Sequence, residues 1–349
     1  MLRRTFLRNS LGTLAATTLA GASYLASETS LQKGATRRIL YVLAGFSQAT
    51  PQAMHAVVET IGASRFNVII LSFLQASFNA GKLTLLYNGN EFSRLSPELP
   101  SLFTRLRTGF SSSKQIMLSI GGWQQLATFQ AIRGIGVSKF VQQLTEQVVA
   151  PLGLEGIDLD LEPQTGGLDH WIDAHHEYGK TLVDLTNEYK RVHPAHRVTH
   201  APLSALAAQL YAKPAPLPGL PAGLLAATRT PHGNNIDWLN VQFYEGGLVA
   251  NGDIAGFYRD SLARPLAAIQ TQTGVANPLH FFLPLFQPEA KQPLAFCRQT
   301  IQAIDRRCAD LHLGTLNGVA LWEYRQVAPS IRDWSDGLTG ALAHNGIEP

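Results

Sequence analysis

Eight short apolar or β-branched runs recur along the chain, each followed by a loop and then by sequence with helical spacing. The runs are Arg38–Ala44, Asn67–Leu74, Gln115–Ile120, Gly156–Leu161, Arg197–Ala201, Asp237–Phe243, Leu279–Leu285 and Gly318–Trp322. Helical periodicity marks the intervals, as in Lys139–Val149, His175–Arg191, Gly256–Thr271 and Pro293–Cys308. Strands separated by helices are joined by crossovers, and crossovers make neighbouring strands parallel. Eight such units predict an α/β chain folded as a single (β/α)8 TIM barrel. An open doubly wound sheet is the rival, but no glycine fingerprint follows the first strand. A length of 349 residues permits two domains, yet no linker interrupts the series. The four prolines of Lys213–Ala222 read as a rigid loop after the fifth strand. With 45% hydrophobic residues, the chain can bury a large core without disulfides or metals.

The barrel should begin only after an address segment. Arg3 and Arg4 precede a mildly apolar run from Leu11 to Leu25, and Ala20-Gly21-Ala22 offers a small-x-small cleavage site. Residues 1–22 therefore read as a secretory signal, with disorder expected to about residue 30. Arg3-Arg4-Thr5-Phe6-Leu7 resembles a twin-arginine signal, with Leu2 where Ser or Thr is commoner. A membrane anchor or a disordered tail is the alternative. Gly12, Thr13, Thr17, Thr18, Gly21 and Ser23 interrupt the run too often for a stable membrane span, and no later stretch qualifies. The expectation is export to the periplasm or the medium, leaving residues 36–345 as the folded domain. Cys297 and Cys308 lie on one predicted helix; at about 1.5 Å rise per residue they stand too far apart for a disulfide and read as two buried thiols. Lys and Arg number 28 against 25 Asp and Glu, which is not the footprint of a nucleic-acid binder. Neither a phosphate loop nor a Ser-His-Asp elbow is present.

In a barrel, chemistry belongs where strands end and βα loops begin. The fourth strand, Gly156-Ile157-Asp158-Leu159-Asp160-Leu161-Glu162-Pro163, alternates strictly. Residues two apart share a face, so Asp158, Asp160 and Glu162 line the interior while Ile157, Leu159 and Leu161 face the helices. Three inward carboxylates are expensive to bury, and at this spacing at least one should hold its proton above the usual range. A carboxyl of that kind at a strand end suits a general acid at neutral pH. His170, His175 and His176 do not make a metal site, because adjacent residues diverge on a helix and no second ligand set accompanies them. No metal and no cofactor is expected.

The same residues carry a family resemblance. Glu155-Gly156-Ile157-Asp158-Leu159-Asp160-Leu161-Glu162 resembles the D-G-x-D-x-D-x-E signature of glycoside hydrolase family 18, the chitinases and their relatives. Ser119-Ile120-Gly121-Gly122 is similar to the family's S-x-G-G on the third strand, Ala201-Pro202 to the end of the fifth, and Trp322 to the tryptophan closing the eighth. Gln242-Phe243-Tyr244 resembles the Q-F-Y of the plant class III and related microbial branch.

The resemblance implies that Glu162 is the general acid and then the base, and that Asp160 supports the substrate's N-acetyl group, whose oxygen is the nucleophile. It implies that Asp158 shares a proton with Asp160, that Tyr244 donates its hydroxyl to the acetamide, and that Trp322 floors the sugar site. Gln242, Trp123, Gly122 and Glu245 are the further candidates for substrate contact, with Trp238 behind them. Gly121 and Gly122 also read simply as a tight turn.

Two departures stand out. Glu155 replaces the signature's first Asp, at the strand's start, where a structural consequence is expected. Glu245 follows the tyrosine where the family often has Asn or Asp. The stretch from Leu285 to Gly318 leaves no room for an extra domain, so an open, shallow groove follows. The implied activity is hydrolysis of β-1,4-linked N-acetylglucosamine polymers by a monomeric chitinase-type glycosidase. An endo-β-N-acetylglucosaminidase acting on glycans or peptidoglycan is one alternative, and a non-catalytic carbohydrate-binding relative is another.

Overall fold

A computed structural model describes residues 36–43, 46, 50–92, 95–111, 113–163, 167–212, 217–220, 223–231, 233–244, 281–288, 292–309 and 315–343. Eight parallel strands form the barrel: β1 (Arg37–Leu43), β2 (Val68–Asn79), β3 (Gln115–Gly122), β4 (Gly156–Leu161), β5 (Arg197–His200), β6 (Trp238–Gln242), β7 (Phe282–Phe286) and β8 (Gly318–Leu321). Strand β1 pairs with β8 on one side and with β2 on the other, which closes the sheet. All eight expected strands are present, with ends moved by a few residues. The expected signal segment and the Gly256–Thr271 helix lie outside the described residues, as does most of the proline-rich loop.

Alternation along the strands sorts side chains into two cores. Ile39, Tyr41, Val68, Ile70, Met117, Trp238, Leu283, Leu285 and Ala320 fill the barrel interior. Their neighbours, among them Leu40, Val42, Ile69, Leu118, Leu159 and Val241, face outward into the layer beneath the helices. The covering helices are α1 (Pro51–Gly62), α2 (Leu99–Thr108), α3 (Leu126–Ile135), α4 (Val137–Leu144), α5 (Leu168–Val192), α6 (Leu294–Ala309) and α7 (Ile331–Ala343). At the start of helix α1 the Thr50 side chain accepts from the Ala53 amide, and Pro51 stands in the first turn. Helix α5 has Asp169 in its first turn and Lys190 and Arg191 in its last, which matches the helix dipole. The expected helix Lys139–Val149 is interrupted: α4 ends at Leu144 and a π-helical turn covers Thr145–Val149. Cys297 and Cys308 are buried free thiols on α6, as their spacing required.

One addition shapes the barrel mouth. Strand β2 runs past the barrel to Asn79 and folds back as Lys82–Tyr87 through a turn at Ala80 and Gly81, both with positive φ. Where β2 leaves the barrel its register with β3 shifts between Leu71 and Leu74. Such a bulge re-aims a side chain, and here it turns Phe73 toward the mouth. Asn88 fixes it, donating to the Ser72 carbonyl at 2.7 Å and accepting from the Phe73 amide at 3.2 Å.

Candidate active site

At the C-terminal ends of the strands, Phe73, Trp123, Asp160, Glu162, Tyr244, Gln287 and Trp322 line a pocket of about 270 Å³. A wider groove of about 790 Å³ runs outside α5, but its charges pair among themselves, as in Arg133–Glu177 and Lys180–Asp184. It contains no strand end, and its carboxylates Glu177, Asp184 and Glu188 each pair with a basic neighbour, so the smaller pocket is the candidate site.

The three carboxylates differ sharply in surroundings. Asp158 is fully buried and accepts four hydrogen bonds, each from a different strand: Tyr41 Oη at 3.0 Å, Ser119 Oγ at 2.8 Å, Thr199 Oγ1 at 2.6 Å and Asn240 Nδ2 at 3.3 Å. Burial raises its pKa, and these donors oppose the rise by favouring the anion. The Tyr41 hydroxyl is driven well above its ordinary value by burial and by the nearby carboxylates, so it remains a donor.

Asp160 is held well above the usual carboxylate range, first by burial and then by the charges of Glu162 and Asp158. Its side chain hydrogen-bonds Glu162. The resemblance leads one to expect a proton between Asp158 and Asp160. Here both oxygens of Asp158 are taken by neighbouring strands, and Asp160 turns one step outward to Glu162.

Gln242 joins the pair from β6. Its Nε2 lies 3.1 Å from Asp160 Oδ1, 3.3 Å from Glu162 Oε1 and 2.9 Å from the Ala201 carbonyl. The side chain is buried beneath the carboxylates, so it orients them rather than lining the pocket. Trp238 sits lower still, fully buried, with Arg37 stacked on its ring and its Nε1 donating to Asn240. That depth removes it from the candidates for sugar contact.

The aromatic wall comes from three strand ends. Trp322 stacks on Phe73 with ring centroids 5.3 Å apart and meets Tyr41 edge-on at 5.8 Å. Trp123 is 47% exposed at the rim of the pocket. Gly122 explains how Phe73 fits: its φ is +89°, and a Cβ there would meet the Phe73 ring at 2.7 Å. The residue serves the pocket through the space it leaves. Glu155 does what its place at the strand's start suggests, accepting from the Ile116 amide at 3.0 Å. His175 is buried in α5 with Nδ1 2.8 Å from the Trp171 carbonyl, a packing role. Glu245 lies outside the described residues.

Sequence reading missed Phe73, Gln287, Tyr41, Thr199 and Asn240. Period-two alternation on β6 would have put Asn240 on the face of Gln242. Nothing local announces Phe73 or Gln287.

Comparison with known proteins agrees with this geometry. A family model described as "Glycosyl hydrolases family 18" matches residues 38–290. No curated protein matches the chain. Among solved structures, the catalytic domain of the Pyrococcus furiosus chitinase is 13% identical, with a TM-score of 0.54 over 90% of this chain and 99% of that one. A family 18 chitinase from Cycas revoluta in complex with allosamidin is also 13% identical, with a TM-score of 0.51 over 87% and 99%. A xylanase and α-amylase inhibitor protein is 14% identical, with a TM-score of 0.50 over 88% and 100%. At such identities the solved structures speak for the fold alone.

Proposed function

Because the chain belongs to family 18 of the glycosyl hydrolases, we propose that it cleaves β-1,4-linked N-acetylglucosamine polymers, chitin or its oligosaccharides, with retention and with the substrate's N-acetyl group as nucleophile. The observation that carries this reading is the hydrogen-bonded Asp160–Glu162 pair opening onto a pocket walled by Trp322 and Tyr244. A proton held between two buried carboxyls, favoured by burial and by their mutual charge, is a ready general acid.

Glu162 donates that proton to the glycosidic oxygen as the C1–O bond breaks. The acetamide carbonyl oxygen attacks C1 from the opposite face, so no enzyme carboxylate becomes bonded to the sugar. Asp160, now ionised, accepts a hydrogen bond from the acetamide N–H and offsets the positive charge of the oxazolinium ring. Tyr244 donates its hydroxyl to the acetamide, fixing it for attack. Glu162 then takes a proton from water, which opens the ring at C1 and restores the acetamide. Trp322 and Phe73 supply the apolar face on which a pyranose ring stacks.

The Gln242-Phe243-Tyr244 run supports the class III branch. The presence of Glu162, Asp160 and Tyr244 together supports catalysis over a silent, binding-only role, since the reaction needs all three. The signal-like residues 1–22 support export, to the periplasm or the medium. Among the described residues no helix is long and apolar enough to cross a membrane.

Product analysis with soluble chitin oligomers, peptidoglycan and a high-mannose glycan side by side tests the substrate class. Oligomer cleavage is expected, and activity confined to either of the others overturns the assignment. Glu162→Gln should bind oligosaccharide yet lose about 10²–10⁴ in kcat. Efficient hydrolysis of fully deacetylated chitosan would refute the acetamide nucleophile.

A further inference from the structure

Strands β6 and β7 pair through Gln242 and Leu285, and the Phe243 amide donates to the Leu285 carbonyl at 3.1 Å. In a parallel ladder the next bond would run from the Gln287 amide to the Phe243 carbonyl. The side chain of Gln292 takes that place. Its Nε2 donates to the Phe243 carbonyl at 2.9 Å, and its Oε1 accepts from the Gln287 amide at 2.7 Å. The primary amide satisfies both backbone groups while standing between them, so the two strands part by the width of a side chain. Strand β7 keeps its other neighbour meanwhile, since Phe286 pairs with Leu321 and accepts from the Trp322 amide at 2.8 Å.

The parting occurs at the pocket wall. Tyr244 directly follows Phe243 and Gln287 is itself the bonded residue, and both line the pocket. Gln292 is 2% exposed and sits just ahead of α6, so the helix holds the wedge in place. The Gln292 amide carries its donor and acceptor on separate atoms, one for each of these two backbone groups. A carboxylate would turn an oxygen on the Phe243 carbonyl, and an apolar side chain would make neither of these two bonds.

We infer that Gln292 is a positioning residue for Tyr244, its side-chain amide replacing one rung of the β6–β7 ladder so that the barrel opens into the pocket. The inference rests on the chitinolytic reading above.

A double-mutant cycle tests it, with kcat and KM measured on chitohexaose and thermal unfolding recorded for each variant. Gln292→Met should lower kcat about tenfold in the parent enzyme, as expected for a misplaced catalytic group. In the Tyr244→Phe background the same change should cost less than twofold, because the hydroxyl it positions is already gone. Equal losses in both backgrounds would overturn the inference, since a general structural role is blind to the tyrosine. Should Gln292→Met not fold, Gln292→Glu, which keeps the volume and the acceptor, carries the same cycle. If neither variant folds, Gln292 is a stability element and the inference fails. Parent enzyme that leaves chitohexaose intact refutes the chitinolytic reading and this inference with it; active enzyme with an additive cycle refutes this inference alone.

Discussion

Replacing Gln242 by Met, close to it in volume, removes the donor that serves Asp160 and Glu162 together. An amide nitrogen carries two hydrogens. With the Ala201 carbonyl 2.9 Å away, one hydrogen is left for two carboxyl oxygens at 3.1 and 3.3 Å. A hydrogen bond to a charged group contributes about 1.5–3 kcal/mol; one that is shared and long belongs at the lower end. At 1.36 kcal/mol per pKa unit, that is about one unit. The sign follows from which form is stabilised. Gln242 favours the ionised carboxylate and so holds Asp160 down against burial and its charged neighbours. Without it, the pair keeps its proton to higher pH. The alkaline limb of kcat/KM, which reports the free enzyme, should therefore move up by about one pH unit. The plateau should fall about 10–100-fold as the carboxyls lose their orientation. Profiles on chitohexaose from acid to alkaline pH measure both effects, and the limb belongs to the pair rather than to either residue. A limb that stays in place or moves to lower pH refutes the assignment of the shared proton. Gln242→Glu, which adds a third carboxyl to the cluster, should push the limb further in the same upward direction.

Three further outcomes follow from the same geometry. Asp160→Asn should abolish turnover yet raise the melting temperature at neutral pH, by about 2 °C per kcal/mol gained. The folded state holds this carboxyl above its unfolded value, so its penalty is absent below the unfolded pKa and grows as pH rises toward the folded one; a gain that is largest in acid would contradict this. Gly122→Ala should destabilise by about 2–4 kcal/mol through its positive φ and the clash with Phe73, and should raise KM by disturbing the Phe73–Trp322 stack. An unchanged KM in folded protein would detach Phe73 from substrate binding. Cys297 and Cys308 should resist thiol reagents until the chain unfolds, because both are buried and burial pushes the Cys297 thiol up to about 12. Rapid labelling of native protein would show that α6 opens.

Strand number, parallel pairing and the inward face of β4 are all properties of local pattern. A period of two on a strand flanked by helices has one solution, with Ile157, Leu159 and Leu161 outward and the acids within. Asp158, Asp160 and Glu162 are legible for that reason, while Tyr244 and Trp322 are legible through the family resemblance, each just beyond the end of a strand whose limits the sequence marks. The partners of those residues are not local. The donors on Asp158 lie 117, 39, 41 and 82 residues away along the chain, and closure of the barrel in one register is what brings them to a single carboxylate. That saturation turns Asp160 toward Glu162 instead of Asp158. Phe73 reaches the pocket only through a register shift against β3, and Gln292 only by taking a rung from two strands to which it does not belong. The sequence by itself determined the barrel and which acids face its interior, because alternation along a strand is a short-range steric rule. How the three acids divide their hydrogen-bond partners, and how the strands part at the mouth, depended on groups that meet only after the eighth strand closes on the first.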